Sequence, residues 1–287
     1  KNNYNIKKAE SQNYLIDGIS FNANSLISNL LDADDKKKNN IFENNISVDL
    51  NLDEVYFDEV YFVKDLKGKI HIIKNKVEDL EILAFYSNSQ NIKFTIKTND
   101  QGEKITTLFS SKAKPLVDRY KFIKGFKDDR EGYLDFYSLK KDGVSISKLV
   151  IDNFKVKEIP ALAKLLALAS LQGIADLLTG EGIRFTDFEM NFTNQDKLMK
   201  IQELYAIGPA ISILLEGYIE EDKLISLRGT LVPATTINRS IASIPLVGDL
   251  LIGKKVGDGV FGVSFKIKGP PKDLETTVNP IKTLTPR

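Results

Sequence analysis

The sequence predicts a mainly β protein: a large antiparallel sheet with one long apolar face. A buried apolar helix near 161–178 and short helices near 24–31 and 236–243 are expected to accompany it. Three observations carry this expectation. Apolar and polar residues alternate strictly in Ile46-Ser47-Val48-Asp49-Leu50-Asn51-Leu52-Asp53, in Ile92-Lys93-Phe94-Thr95-Ile96-Lys97 and in Val263-Ser264-Phe265-Lys266-Ile267-Lys268. Strand side chains point to opposite faces with a period of two, so each block is a ribbon with one oily and one wet side. Turn signals recur at roughly 10–12 residues, the spacing of antiparallel architecture. One block rich in Ala and Leu breaks the pattern.

The elements follow in order. Residues 1–40 mix Asn, Lys and Ser with short apolar clusters, and Leu26-Ile27-Ser28-Asn29-Leu30-Leu31 suggests a short helix before a charged loop. From Ile41 to about Ser111 the chain reads as a meander, with strands near 46–52, 55–63, 68–74, 77–86, 91–98 and 103–110. Polar and Gly-bearing turns separate several of them, among them Asn99-Asp100-Gln101-Gly102. A second meander starts near Gly132, where strands at 133–139 and 144–156 flank Lys141-Asp142-Gly143, an Asp-Gly signal of the kind hairpins prefer. Pro160 then opens the Ala/Leu block and Thr179-Gly180 closes it, with Pro suited to the first turn and Gly to the stop. On a helical wheel Leu162, Leu166 and Leu177 lie on one side while Leu168, Leu171 and Leu178 lie on others, and Leu165 adds to the apolar surface. A helix apolar nearly all round is buried on several sides. Lys164 and Asp176 within it argue for packing on the sheet rather than crossing a membrane. Strands resume near 182–193, 198–206, 210–219 and 223–232. A short helix follows Pro233, and a last strand spans about 259–268.

Composition narrows the function classes. Apolar content of 42% and charged content of 28% belong to a folded chain. Forty Lys+Arg against 39 Asp+Glu give a formal charge of +1, which supplies no basic surplus for nucleic acid. Cysteine is absent, so disulfides, thiolate metal sites and Cys nucleophiles are excluded. The chain of 287 residues opens on Lys rather than Met and is expected to be a piece of a longer protein.

The chemistry-bearing patterns are weak. Gly257-Asp258-Gly259-Val260-Phe261-Gly262 fits G-x-G-x-x-G, but it runs into an alternating strand, whereas a dinucleotide site needs a helix there. Gly248-Asp249-Leu250-Leu251-Ile252-Gly253-Lys254 resembles a phosphate loop but is followed by Lys255 rather than Ser or Thr. The single histidine, His71, reads as an outward-facing strand residue. Carboxylate clusters at Asp53-Glu54, Asp58-Glu59, Asp128-Asp129 and Glu220-Glu221-Asp222 fall in turns or at strand ends, where solvated surface is the simpler role. Asp32-Ala33-Asp34 lacks the Gly and terminal Glu of a calcium loop. No catalytic residue, metal site or cofactor is expected.

The second half resembles the C-terminal region of the AsmA-like superfamily. The resemblance rests on Ile159-Pro160-Ala161-Leu162-Ala163-Lys164-Leu165-Leu166 and its continuation to Gly173, then on Leu177-Leu178-Thr179-Gly180-Glu181-Gly182-Ile183-Arg184-Phe185. Gly208-Pro209-Ala210, Leu227-Arg228-Gly229-Thr230-Leu231-Val232-Pro233-Ala234, Ile244-Pro245-Leu246-Val247-Gly248-Asp249-Leu250-Leu251 and Val278-Asn279-Pro280-Ile281 follow in order. It covers roughly residues 132–287 and is nearest the YhdP-like branch of the AsmA, TamB and YhdP group, the bridge-like lipid-transfer proteins. Residues 1–131 share only the style of a repeating β-groove segment, expected to continue in the same sheet. The resemblance implies a protein of the Gram-negative cell envelope, anchored in the inner membrane by a segment outside this chain and projecting through the periplasm. It also implies that the antiparallel sheet is curled into a long hydrophobic groove, a β-taco, that moves phospholipid toward the outer membrane, with no catalytic residues.

Physics agrees with a conduit. Each CH₂ exposed to water costs about 0.8 kcal/mol, so carrying two acyl chains through water faces a barrier on the order of 20 kcal/mol. The candidate lining residues are Ile46, Val48, Leu50, Leu52, Ile70, Ile72, Ile92, Phe94, Ile96, Val263, Phe265 and Ile267. Ordinary core packing is the competing reading of each. The helix bearing Leu162, Leu165, Leu166, Leu168, Leu171, Leu177 and Leu178 is expected to cap the groove or touch a membrane. The expected partners are phospholipid acyl chains, the inner and outer membranes and envelope proteins, not nucleic acid. The alternative function is a periplasmic scaffold or interaction module supporting outer-membrane assembly, with strand addition at sheet edges. An enzyme using a carboxylate cluster stands third.

Overall fold

The computed structural model describes residues 2–9, 12–28, 45–74, 76–127, 132–233 and 262–281. The protein is mainly β: a 16-stranded sheet whose strands lie in almost strict chain order, with four short helices among the described residues. The chain divides into two compact units, Lys1–Tyr120 with Tyr133–Asp142, and Lys121–Gly132 with Gly143–Arg287.

The first unit carries β1 (Asn3–Lys8), β2 (Asn13–Asn22), α1 (Asn24–Ile27), β3 (Ile46–Tyr56), β4 (Phe62–Ile73), β5 (Lys76–Ser87), β6 (Gln90–Thr98), β7 (Lys104–Ser110), α2 (Lys114–Tyr120) and β9 (Leu134–Lys141). Its neighbouring strands pair antiparallel except β2 and β3, which run parallel from Asn13↔Ser47 to Asn22↔Tyr56. A parallel pair needs a long crossover, and the chain between Asn22 and Ile46 is long enough to supply one. The sequence reading left β1 and β2 unassigned because both are half-wet: Tyr4, Tyr14 and Ile16 are half-buried and Ile6 is exposed, so the alternation is faint. The strand expected over 55–63 is instead a corner. Phe57 and Tyr61 stack with ring centroids 6.3 Å apart, and the Val60 amide donates to Asp58 Oδ1 at 3.0 Å. Polar Asp58-Glu59 favours that turn over a continued ladder. The short helix α2 was not foreseen. The helix expected over 24–31 is seen as Asn24–Ile27, and residues from 29 onward lie outside the described ones.

The second unit carries β8 (Phe126–Lys127), β10 (Val144–Val156), α3 (Pro160–Leu168), α4 (Gln172–Thr179), β11 (Ile183–Gln195), β12 (Leu198–Ile207), β13 (Ile211–Glu220), β14 (Leu224–Pro233), β15 (Gly262–Gly269) and β16 (Glu275–Ile281). The ladder from β10 to β16 is antiparallel throughout, with β8 beside β10. Its core is aromatic at one end: Phe154 sits 5.1 Å from Phe126, 5.7 Å from Phe185 and 6.1 Å from Phe188, centroid to centroid.

The single helix expected near 161–178 is two helices. Ser170 adopts φ 58, a left-handed conformation that cannot continue a right-handed helix. The chain closes there through Leu171 N–H to the Leu166 carbonyl at 2.9 Å, the kind of bond that ends helices at a left-handed residue. Burial is also one-sided rather than all round. Leu162, Leu165, Leu166 and Leu178 are buried and Leu171 is half-buried, while Leu168 and Leu177 are 50% and 42% exposed. Helix α3 packs against α4 and β16, and α4 against β11. The helix expected near 236–243, both glycine-rich look-alikes apart from Gly262, Asp32-Ala33-Asp34 and Asp128-Asp129 lie outside the described residues.

Candidate functional site

In the first unit one row of side chains crosses seven neighbouring strands on a single face. Ile6 opposes Ile16, Ile16 opposes Leu50, Leu50 opposes Gly68, Gly68 opposes Ile82, Ile82 opposes Phe94 and Phe94 opposes Leu108. Six interstrand steps of about 4.8 Å make this row about 29 Å long along the sheet. Every member except Gly68 lines a cavity of about 490 Å³. The row exists because period-two alternation brings the apolar member of each strand to the same level.

Gly68 stands mid-row. A Cβ there would meet the Glu81 carbonyl oxygen at 2.6 Å and Ile82 Cγ1 at 2.9 Å, so β4 and β5 approach closely only because the side chain is missing. On either side of the row the core is packed. Leu52, Val55, Phe57, Val63, Leu66 and Ala84 form one buried cluster, and Ile46, Val48, Ile72, Val77, Leu80 and Ile96 form another. Ile16, Leu50 and Ile82 border both clusters and are only half-buried. Their remaining accessible surface faces the void that parts the two cores.

The alternation does not run unbroken. On β3 the buried residues step from Leu52 to Val55, and on β4 from Val63 to Leu66, a spacing of three rather than two. Asp65 takes φ 50, and the β4–β5 register shifts between Lys64 and Lys67. This bulge resets the phase, so apolar side chains stay on the inner face past the bend. The outer face is polar: Ser47 Oγ and His71 Nδ1 lie 2.8 Å apart, and the Thr95 and Thr107 hydroxyls 2.6 Å.

Helices α1 and α2 contribute to the cavity through Leu26, Ile27, Leu116, Arg119 and Tyr120. Among the described residues Arg119 is the one charged residue lining it. Its guanidinium donates to Asn24 Oδ1 at 2.7 Å, to Ser28 Oγ at 3.3 Å and to the Phe57 carbonyl, so it ties α2 to α1 and to the β3–β4 corner. The neighbouring Asp118 accepts from the Tyr61 hydroxyl at 2.5 Å and from Lys114 Nζ at 2.7 Å. At the rim Ile6 is 58% exposed and Tyr120 47%. Tyr86 is half-buried, its hydroxyl 3.0 Å from Ser110 Oγ, and desolvation of that hydroxyl pushes its pKa up to about 12.

No family model, curated protein or solved structure matches this chain. The site therefore rests on its own geometry.

Of the residues expected to line a groove, Ile46, Val48, Leu50, Leu52, Ile70, Ile72, Ile92 and Phe94 all border this cavity. Ile96 belongs to the packed cluster beside it. Val263, Phe265 and Ile267 lie on β15 of the second unit and do not line it; Val263 and Phe265 are packed as core and Ile267 is half-buried. Leu162, Leu165, Leu166, Leu168, Leu171, Leu177 and Leu178 belong to the second unit's helices and do not line it either. The sequence reading missed Ile16, Ile82, Leu108 and Arg119. Ile82 and Leu108 lie in strands it assigned and share their period, so they were within reach. Arg119 was not, since its partner Asn24 is 95 residues away. Among the described residues no helix is long and apolar enough to cross a membrane.

Proposed function

We propose that this chain is a non-enzymatic lipid-conduit segment that shelters acyl chains in the apolar trough of its first unit. The carrying observation is the seven-strand row bordering a cavity of about 490 Å³, a size within the roughly 300–1,000 Å³ of small-molecule sites. An acyl chain laid along this trough leaves water at about 0.8 kcal/mol for each CH₂ buried. Apart from Tyr14, Arg119 and Tyr120, the described lining side chains are hydrocarbon and neither donate nor accept protons, so the site suits carriage rather than chemistry. The resemblance of residues 132–287 to the AsmA-like superfamily supports the same reading, under which the protein works in a Gram-negative envelope. The exposed Leu168 and Leu177 are the candidate membrane-touching residues of the second unit.

Native mass spectrometry of the purified chain tests the proposal, which expects phospholipid or fatty acid to co-purify. Photo-crosslinkers at Val48 and Phe94 should capture lipid, whereas those at Ser47 and Thr95 on the outer face should not. A chain free of lipid with no inner-face crosslinks would favour a scaffold role.

A further inference from the structure

We infer that the first unit's cavity is a single-file slot for one acyl chain of about 16 carbons, with the methyl end at Leu108 and the head at the Ile6 rim. This inference rests on the lipid-binding reading of the cavity and adds how many chains it takes, of what length and in which direction. The cavity borders both ends of the row, Ile6 on β1 and Leu108 on β7. A methylene occupies about the space of a water molecule in the liquid, about 30 Å³, so a void of about 490 Å³ holds about 16 of them. An extended chain advances about 1.2 Å per bond, as a stretched backbone does, and therefore fills a cross-section of about 25 Å². At that width the void is about 20 Å long, on the scale of the row. At twice the width it would be only about 10 Å long, too short to border both ends of a row of about 29 Å. Both acyl chains of a phospholipid side by side therefore do not fit. The packed clusters on either side of the row set this width. The two ends differ. Ile6 is 58% exposed on the outermost described strand, so a polar head group stays in water there. At the other end the row continues to Phe136 on β9, opposite Leu108, but Phe136 does not line the cavity. The void stops at β7, and that stop measures the chain: carbons beyond the slot's capacity remain in water and gain nothing from burial.

The full chain, stripped of lipid, is titrated below micelle formation with the saturated fatty acids from decanoate to eicosanoate, and native mass spectrometry counts the molecules bound. Affinity should rise about fourfold per added methylene, the factor for burying one CH₂, as far as about hexadecanoate and then level off, with one molecule per chain. Leu108→Ala enlarges the far end of the slot and should move the break to longer acids by about two or three methylenes, while Leu108→Trp should move it to shorter ones. Ile146→Trp, at an exposed position of the second unit, should leave the break in place. The chain has no tryptophan of its own, so Leu108→Trp also supplies a lone fluorophore at the slot's end. Bromine on the methyl end of tetradecanoate should quench it, and bromine beside the carboxylate should not. Affinity that climbs unchecked to eicosanoate, two molecules bound per chain, quenching by the carboxylate-end bromide alone, or a break that ignores both Leu108 substitutions in folded variants would overturn the slot and leave the lipid-binding reading standing. Failure of every acid to bind would overturn both.

Discussion

Glu189 on β11 illustrates how a single side chain is tuned by its neighbours. Burial pushes its carboxyl pKa upward, but Lys148 Nζ at 2.8 Å, the Tyr205 hydroxyl at 2.8 Å and Asn191 Nδ2 at 3.0 Å outweigh it and hold the group below its ordinary value. Tyr205 moves the other way, raised by burial and then by Glu189. A carboxyl whose folded pKa is depressed stabilises the fold above its unfolded pKa of about 4.3 and loses that contribution as pH falls through the folded value. Glu189→Gln should therefore flatten the acid side of a melting-temperature profile taken between about pH 7 and pH 3, with little change in slope above pH 5. Phe154 makes a steric counterpart. It is 1% exposed within the aromatic stack of the second unit, and Phe154→Ala should cost about 3–5 kcal/mol, read as a lower urea midpoint.

At the scale of the element, the bend through β3 and β4 decides whether a strand keeps its apolar side inward. Asp65 holds a left-handed conformation that Gly adopts freely and a β-branched residue does not. Asp65→Gly should leave the melting temperature level or higher, whereas Asp65→Val should lower stability by about 1–2 kcal/mol. The reading of residues 161–178 as one helix failed for a related reason. Ala and Leu propensity favours continuation, but Ser170 turns left-handed where the chain folds α4 back onto α3 and β11. Propensity is a weak local preference, and burial of Leu166 and Leu178 outweighs it.

For the molecule as a whole, ligand binding should stabilise where the ligand sits. Saturating oleate at about 100 times its dissociation constant should add about 2.7 kcal/mol to the opening of the liganded fold. Hydrogen exchange should slow across β3, β4, β5 and β6 of the first unit and leave β11 to β14 of the second unchanged. Protection confined to the second unit would count against the trough as the lipid site.

Eight cavity residues were legible from their spacing because the strand period is geometric: once Ile46, Val48, Leu50 and Leu52 alternate with polar residues, they must share a face. The mainly β class, most of the strand positions and the polar outer side follow from that rule and from turn chemistry. Three things did not follow. The parallel pairing of β2 with β3 depends on where the chain returns after a crossover, and no local pattern encodes that. A void instead of a packed centre depends on how far apart two apolar clusters are held, with Gly68 drawing two strands together in the same row. Arg119 reaches the cavity through contacts with Asn24 and Phe57, 95 and 62 residues distant, and spacing along the chain carries no information about a meeting made in three dimensions.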